Sequence, residues 1–230
     1  MRELLSPQIE DYLKRLHALQ AHGKVSTQAL ADALEISAPS VSAMLKKLEG
    51  LGLVTYEKYQ GASLTDSGEK IALELIRHHR LLETYLHQAL GYPLHEVHAE
   101  AERLEHHISE EFEARISELL GHPTHDPHGD PIPSKDGLLP PSASRPLSAL
   151  HAGERATIGR VVETRDNPFL EHAAKLGLMP GAAVRVLEIS VPARTLTVQV
   201  GDDAAHTLSL EAASQLFVTE LEPELSGVQP

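Results

Sequence analysis

Apolar residues recur at Ile9, Tyr12, Leu13, Leu16 and Leu19, the spacing of one helix face, and the stripe stops near Gly23. A shorter stripe of Leu30, Ala31 and Leu34 follows Ser26, whose hydroxyl suits the cap of a helix starting at Thr27. After a tight turn at Glu35 and Ile36, Ser37 caps a third helix, and Pro39 fits the first turn, where a missing N–H costs little. Val41, Met44, Leu45 and Leu48 face inward there, which leaves Ser40, Ser42, Ala43, Lys46 and Lys47 facing out. Residues 53–69 (LVTYEKYQGASLTDSGE) then read as two short strands with Lys58 and Tyr59 at the tip, followed by a T-x-x-G helix start. Helix, turn, helix and hairpin in this order predict a winged helix-turn-helix, whose second helix enters the DNA major groove. No Arg, Asn or Gln points outward mid-helix, so DNA shape is expected to contribute to specificity alongside base contacts.

Residues 76–108 carry six candidate metal ligands on helical repeats. His79 and Glu83 are i,i+4 and share a face; His98, Glu102, Glu105 and His106 share another at about 100° per residue. Imidazole and carboxylate on facing helices are how helical proteins hold divalent ions. His78 and His107 are out of phase with these faces and are expected at the surface. Leu104, Ile108, Phe112, Ile116 and Leu119 continue as an apolar stripe too broad for one small helical domain to bury alone, which predicts a dimer surface.

The prolines of residues 122–133 (HPTHDPHGDPIP) end the helical part. His125-x-x-His128 has no Cys partner, so a separate zinc site is not the favoured reading. Residues 134–150 are expected to be a flexible tether. Beyond it, alternation over 156–162, 183–189, 195–200 and 216–220 predicts short strands, with a helix over 167–178. The expected organisation is a reader at 1–70, a helical domain at 71–133, the tether, and a small β domain at 151–222. The fold class is therefore mainly α with a small β domain.

The net charge of -13 argues against nucleic acid only at first sight. Residues 1–70 hold eight Lys and Arg against nine Asp and Glu, so the acidity lies downstream of the reader. The chain has no Cys and fifteen His, which excludes thiolate sites and favours imidazole. No apolar run suits a membrane span or a signal peptide, so a cytoplasmic protein is expected.

Several segments together resemble the iron- and manganese-dependent repressors of the diphtheria toxin repressor type: IEDYL at 9–13, SAPSVSAMLKKLEGLGLV at 37–54, LTDSGE at 64–69, HHRLLETYL at 78–86, EVHAEAERLEHHIS at 96–109 and PHGDPIP at 127–133. NPFLEHAAKLGLMPGAAVRVLE at 167–188 resembles the SH3-like domain of the same family. The resemblance implies a winged helix, a helical dimerisation and metal domain, and a C-terminal SH3-like β-barrel. It implies a homodimer that binds Mn(II) or Fe(II) and then a double-stranded, palindromic operator. By position it implies a primary site of Asp11, Glu102, Glu105 and His106 and a second cluster of His79, Glu83 and His98. Asp126 and His128 would add to that second cluster, as would Asp166, with Glu163 and Glu171 as rivals. Iron sensors use Met and Cys where this chain has Asp11 and Glu102, as manganese sensors do, and hard oxygen donors suit Mn(II). One departure is Lys14, where two-domain manganese sensors have Glu; it speaks against a two-metal cluster of their kind. The DNA-facing residues would be Thr27, Ser37, Pro39, Ser40, Ser42, Ala43, Lys46, Lys47, Lys58 and Tyr59. Two other classes stay open: a helical metalloenzyme with a carboxylate/His centre, and a winged-helix regulator of small organic ligands, which the 3% aromatic content does not favour.

Overall fold

The computed structural model describes residues 5–162, 168–202 and 205–220. The first unit comprises α1 (Pro7–Leu19), α2 (Thr27–Leu34), α3 (Ala38–Gly50) and a hairpin of β1 (Val54–Glu57) and β2 (Gly61–Leu64). Both expected caps form: Ser26 accepts from the Ala29 N–H and Ser37 from the Ser40 N–H. The apolar stripes of the three helices close on Leu53, Val54 and Ala62 in one core, with Leu13, Leu16, Leu30, Val41, Leu45 and Leu48 fully buried. Val25 and Ala62 exchange backbone hydrogen bonds of 2.8 Å, which ties the wing to the segment before α2. Gly61 makes this possible: its φ is +107°, and a Cβ there would stand 2.5 Å from the Val25 carbonyl oxygen.

Pro39, Ser40, Ala43, Lys46 and Lys47 line the exposed face of α3. Tyr59 at the wing tip is 92% exposed, with the Lys58 ammonium 5.0 Å from its ring centre. Thr27 and Ser42 are less free than expected, because both hydroxyls hydrogen-bond the Tyr56 side chain and lower its phenol pKa.

α4 (Asp66–Gln88) starts at a Thr65 cap and runs out of this unit into the next. Its N-terminal Ile71 and Ala72 belong to the first core. Its C-terminal Leu81, Leu82 and Leu86 pack with Val97 and Ala101 of α5 (Val97–Leu104), Ile116 of α6 (Glu110–Leu119), and Ile132. One rigid helix therefore serves both cores. The expected dimer stripe divides: Ile116 is buried and Leu104 and Ile108 pack against this core, whereas Phe112 (43%) and Leu119 (68%) remain exposed.

The expectation for His78 is overturned. It is fully buried, with Nε2 3.3 Å from Glu113 Oε2. Beside it Arg77 Nε donates to Glu113 Oε1 at 2.6 Å, Nη1 donates to the Pro133 carbonyl at 2.8 Å, and Nη2 to Ser117 Oγ at 3.3 Å. The α6 carboxylate thus turns a helix position that reads as surface into a buried polar joint. His107 is exposed, as expected.

The third unit is a six-stranded antiparallel sheet ordered β3-β8-β4-β5-β6-β7. Its strands are β3 (Arg145–Pro146), β4 (Arg155–Val161), β5 (Ala183–Ser190), β6 (Thr195–Val200), β7 (Ala205–Ser209) and β8 (Leu216–Glu220), with α7 (Pro168–Lys175) and α8 (Leu210–Ala213). This is the expected small SH3-like domain, with two differences. β3, Leu147 and Leu150 belong to its sheet and core although they fall inside the stretch read as tether, and β7 went unpredicted. The domain seats on the loop after α6: the Val161 N–H donates to the His128 carbonyl at 2.8 Å. A Cβ on Gly129 would stand 2.0 Å from the Gly159 carbonyl oxygen. Among the described residues, no helix is long and apolar enough to cross a membrane.

Candidate metal centre

The helical repeat sets the site. His79 and Glu83 lie one turn apart on α4, and His98 lies on the α5 face that packs against it. His79 Nε2 is 2.7 Å from Glu83 Oε1 and 3.1 Å from His98 Nδ1, and His98 Nδ1 is 3.2 Å from Glu83 Oε1. Donors held about 2.1 Å from one ion and at right angles stand about 3 Å apart, so these three atoms outline one face of an octahedron. Glu83 Oε2 is buried and accepts no hydrogen bond from any described residue.

Asp126 and His128 come in from the loop after α6, and their donor atoms lie within 4.8 Å of one another and of Glu83, all three residues buried. Asp126 Oδ1 accepts from the His128 and Asp130 N–H groups at 2.9 Å each, which fixes the loop. Burial, with Glu83 and Asp130 nearby, pushes the Asp126 carboxyl well above its usual range. Burial also raises Glu83, but the His79 imidazole outweighs it and holds Glu83 well below. Glu83 Oε2 is left for a further partner, and the oxygen-and-imidazole donor set around it fits a hard divalent ion.

A second group faces α1. Asp11 Oδ1 is 3.0 Å from His106 Nε2, and Glu105 Oε1 is 3.6 Å from the same nitrogen. Glu10 pairs with the other nitrogen of the ring, with Oε2 2.6 Å from His106 Nδ1. Hydrogen bonds to Asp11 and Glu10 carry the imidazole up to about 9 against the opposing effect of burial. Glu102 stands apart from this group. Its Oε1 lies 2.7 Å from Lys14 Nζ, in a cluster with Glu105 and His79. Burial raises its carboxyl, but Lys14 prevails and holds it at about 2. His79 joins the clusters: Nδ1 is 2.5 Å from Glu105 Oε2 while Nε2 faces Glu83 and His98. Burial lowers this imidazole, yet Glu83 and the hydrogen bonds to Glu105 and Glu83 lift it to about 9.

Residues 4–62 match the model of the iron dependent repressor, N-terminal DNA binding domain. Residues 65–134 match its metal binding and dimerisation domain, and 145–220 match the FeoA domain. The diphtheria toxin repressor of Corynebacterium efficiens is 30% identical over 223 residues, covering 90% of this chain and 96% of that protein. The iron-dependent repressor IdeR of Mycobacterium leprae is 39% identical over 144 residues, 62% of this chain and 61% of that protein. A solved manganese-dependent transcriptional repressor in complex with manganese superimposes with a TM-score of 0.82 at 39% identity, over 93% of this chain and 100% of that one. The chain belongs to the diphtheria toxin repressor family. It is a metal-dependent, DNA-binding transcriptional repressor and not an enzyme.

Within this repressor the structure gathers Asp11, Glu105 and His106 in one cluster, His79, Glu83 and His98 in another, and Asp126 and His128 with Glu83. Glu102 departs from the expected primary set, drawn towards Lys14. Asp166 and its rival Glu163 lie outside the described residues. The other rival, Glu171, is exposed and paired with Lys175 at 2.6 Å. Sequence reasoning missed Glu10, 4% exposed, although it sits on α1 between the apolar stripe and Asp11. An acidic residue at the edge of a buried stripe was the available signal.

Proposed function

We propose that this repressor is activated by Mn(II) or Fe(II) bound at Asp11, Glu105 and His106, with Glu102 as a further candidate ligand. One observation carries the reading: Asp11 on α1 of the DNA-binding unit stands 3.0 Å from His106 of the helical domain. The bound ion would supply the positive charge that holds carboxylates of both units on one centre. Asp11 brings the reader to this centre, Glu105 and His106 bring the helical domain, and Glu10 orients the His106 ring. Metal then favours the arrangement competent for DNA, a population shift that requires tighter binding in that state. His79, Glu83, His98, Asp126 and His128 form the proposed second site, to which Asp166 of the third domain would contribute. With neither thiolate nor thioether among these donors, the chemistry favours Mn(II) as the working ion.

The proposed assembly is a cytoplasmic homodimer that places two α3 helices on a palindromic operator controlling metal-homeostasis genes. Lys46, Lys47 and Lys58 would meet phosphates. Ser37, Pro39, Ser40, Ala43 and Tyr59 would approach the DNA backbone and thymine methyls, and Thr27 and Ser42 would do so beside Tyr56. The test is Glu105→Ala and His106→Ala, followed by Mn(II) calorimetry and operator binding with and without chelator. Metal-dependent DNA binding is expected to be lost in both while the dimer persists. Wild-type affinity in either variant would refute the assignment.

A further inference from the structure

A further group of ligand-type side chains stands where α4 meets the start of α6, outside the clusters described above. Glu74 and His78 are one turn apart on α4, Glu110 opens α6, and their donor atoms lie within 4.8 Å of one another. His78 Nε2 is 3.8 Å from Glu110 Oε1 and 3.3 Å from Glu113 Oε2. Donors held about 2.1 Å from a tetrahedral ion stand about 3.4 Å apart, so these spacings can enclose one. His78 is fully buried, and its Nδ1 lies 3.4 Å from the Glu105 backbone carbonyl. A carbonyl only accepts, so in the neutral ring Nδ1 carries the proton and Nε2 offers its lone pair to the carboxylates. Ligating imidazoles are oriented in this way.

The Glu74 and Glu110 side chains hydrogen-bond each other; burial, this contact and Glu113 raise the Glu110 carboxyl against the pull of His78. Two carboxyl groups this close share either a proton or a cation. Arg77 Nε already occupies Glu113 Oε1 at 2.6 Å. Three carboxylates against one guanidinium leave two negative charges, the complement of a divalent ion. The Glu110 side chain is 66% exposed, which gives an ion a way in from solvent.

We propose that Glu74, His78 and Glu110 form a further divalent-metal site, with Glu113 Oε2 as a fourth donor. The site does not depend on the reading of Asp11, Glu105 and His106. Its ion ties the first turn of α6 to α4, the helix that serves both cores.

Zn(II) is the probe, because sites of nitrogen and oxygen donors hold it more tightly than Mn(II). Equilibrium dialysis of the full-length protein against Zn(II) counts the ions. Glu74→Ala and Glu110→Ala should each hold one ion fewer per protomer than wild type, with native helicity. Glu110 is mostly exposed, so its variant decides the question if Glu74→Ala does not fold. Crystals grown with Zn(II) should show an anomalous peak about 2.1 Å from His78 Nε2. Equal counts in wild type and the folded variants, or no peak beside His78 Nε2, would overturn the site and leave the carboxyl pair sharing a proton. A peak beside His78 with none at Asp11, Glu105 and His106 would refute the proposed activating site instead.

Discussion

Glu10 accepts from His106 Nδ1 at 2.6 Å, and this leaves Nε2 turned towards Asp11 and Glu105. A carboxylate one layer out fixes both the tautomer and the tilt of a ligand ring, and such partners are worth roughly 10–100-fold in metal affinity. Glu10→Gln should therefore weaken Mn(II) binding by about that factor in calorimetry while leaving the dimer intact; unchanged affinity would show that the ring is oriented by packing alone. Glu113 offers a test of stability. Burial raises its carboxyl, but His78 and Arg77 prevail and bring it from 4.5 to about 2. A depressed carboxyl stabilises the fold above its ordinary pKa, and that contribution fades as pH falls from 4.5 towards 2. Glu113→Ala strands the buried Arg77 and is expected to cost about 3–5 kcal/mol near neutrality. The gap in urea stability between wild type and Glu113→Gln should narrow over the same acid range. The ligand residues were legible because the 3.6-residue repeat alone puts His79 with Glu83 on one face. Glu10 and His78 were not, since each is buried by a partner far along the chain: His106 for the first, Glu113 for the second.

α3 carries the DNA-facing chemistry on a short exposed face, and the wing extends it. Lys46→Ala should weaken binding to all duplexes and reduce the slope of log affinity against log salt by roughly one per half-site. An unchanged slope would place this helix away from the phosphates. Gly61→Ala is expected to cost about 1–3 kcal/mol, as strain in a left-handed backbone joins a clash with the Val25 carbonyl. Thermal melts read the loss, and operator affinity should fall with it as the wing loosens. α1 to α4 were readable from apolar stripes and from serine and threonine caps, whereas the stripe from Leu104 to Leu119 read as one continuous helix and is divided into α5 and α6 by the turn before the Ser109 cap. β3 and β7 were not. β3 is two residues long in a proline- and serine-rich stretch, and β7 is an edge strand with Leu208 as its one buried residue. Neither carries a local alternation long enough to recognise; the sheet forms them by pairing.

Across the whole molecule, imidazoles and carboxylates run without interruption from Asp11 on α1, through Glu105, His79 and Glu83, to Asp126 and His128. Each end meets a neighbouring unit: the reader at Asp11, the β domain at the His128 loop. Dimerisation needs a surface that the chain's own core does not use. Phe112 and Leu119 qualify, whereas Leu104 and Ile108 already pack inside. Phe112→Ala with Leu119→Ala should give monomers in ultracentrifugation with native helicity, and a persistent dimer would move the interface elsewhere. Gly129 and Gly159 touch backbone to backbone, and a single Cβ would part them. A domain held this way behaves as a ligand on a short leash, present at a millimolar effective concentration that no dilution lowers. A protease cut in the segment before Arg145 would turn that docking into an ordinary bimolecular equilibrium. The β domain's hold on the His128 loop would then depend on protein concentration.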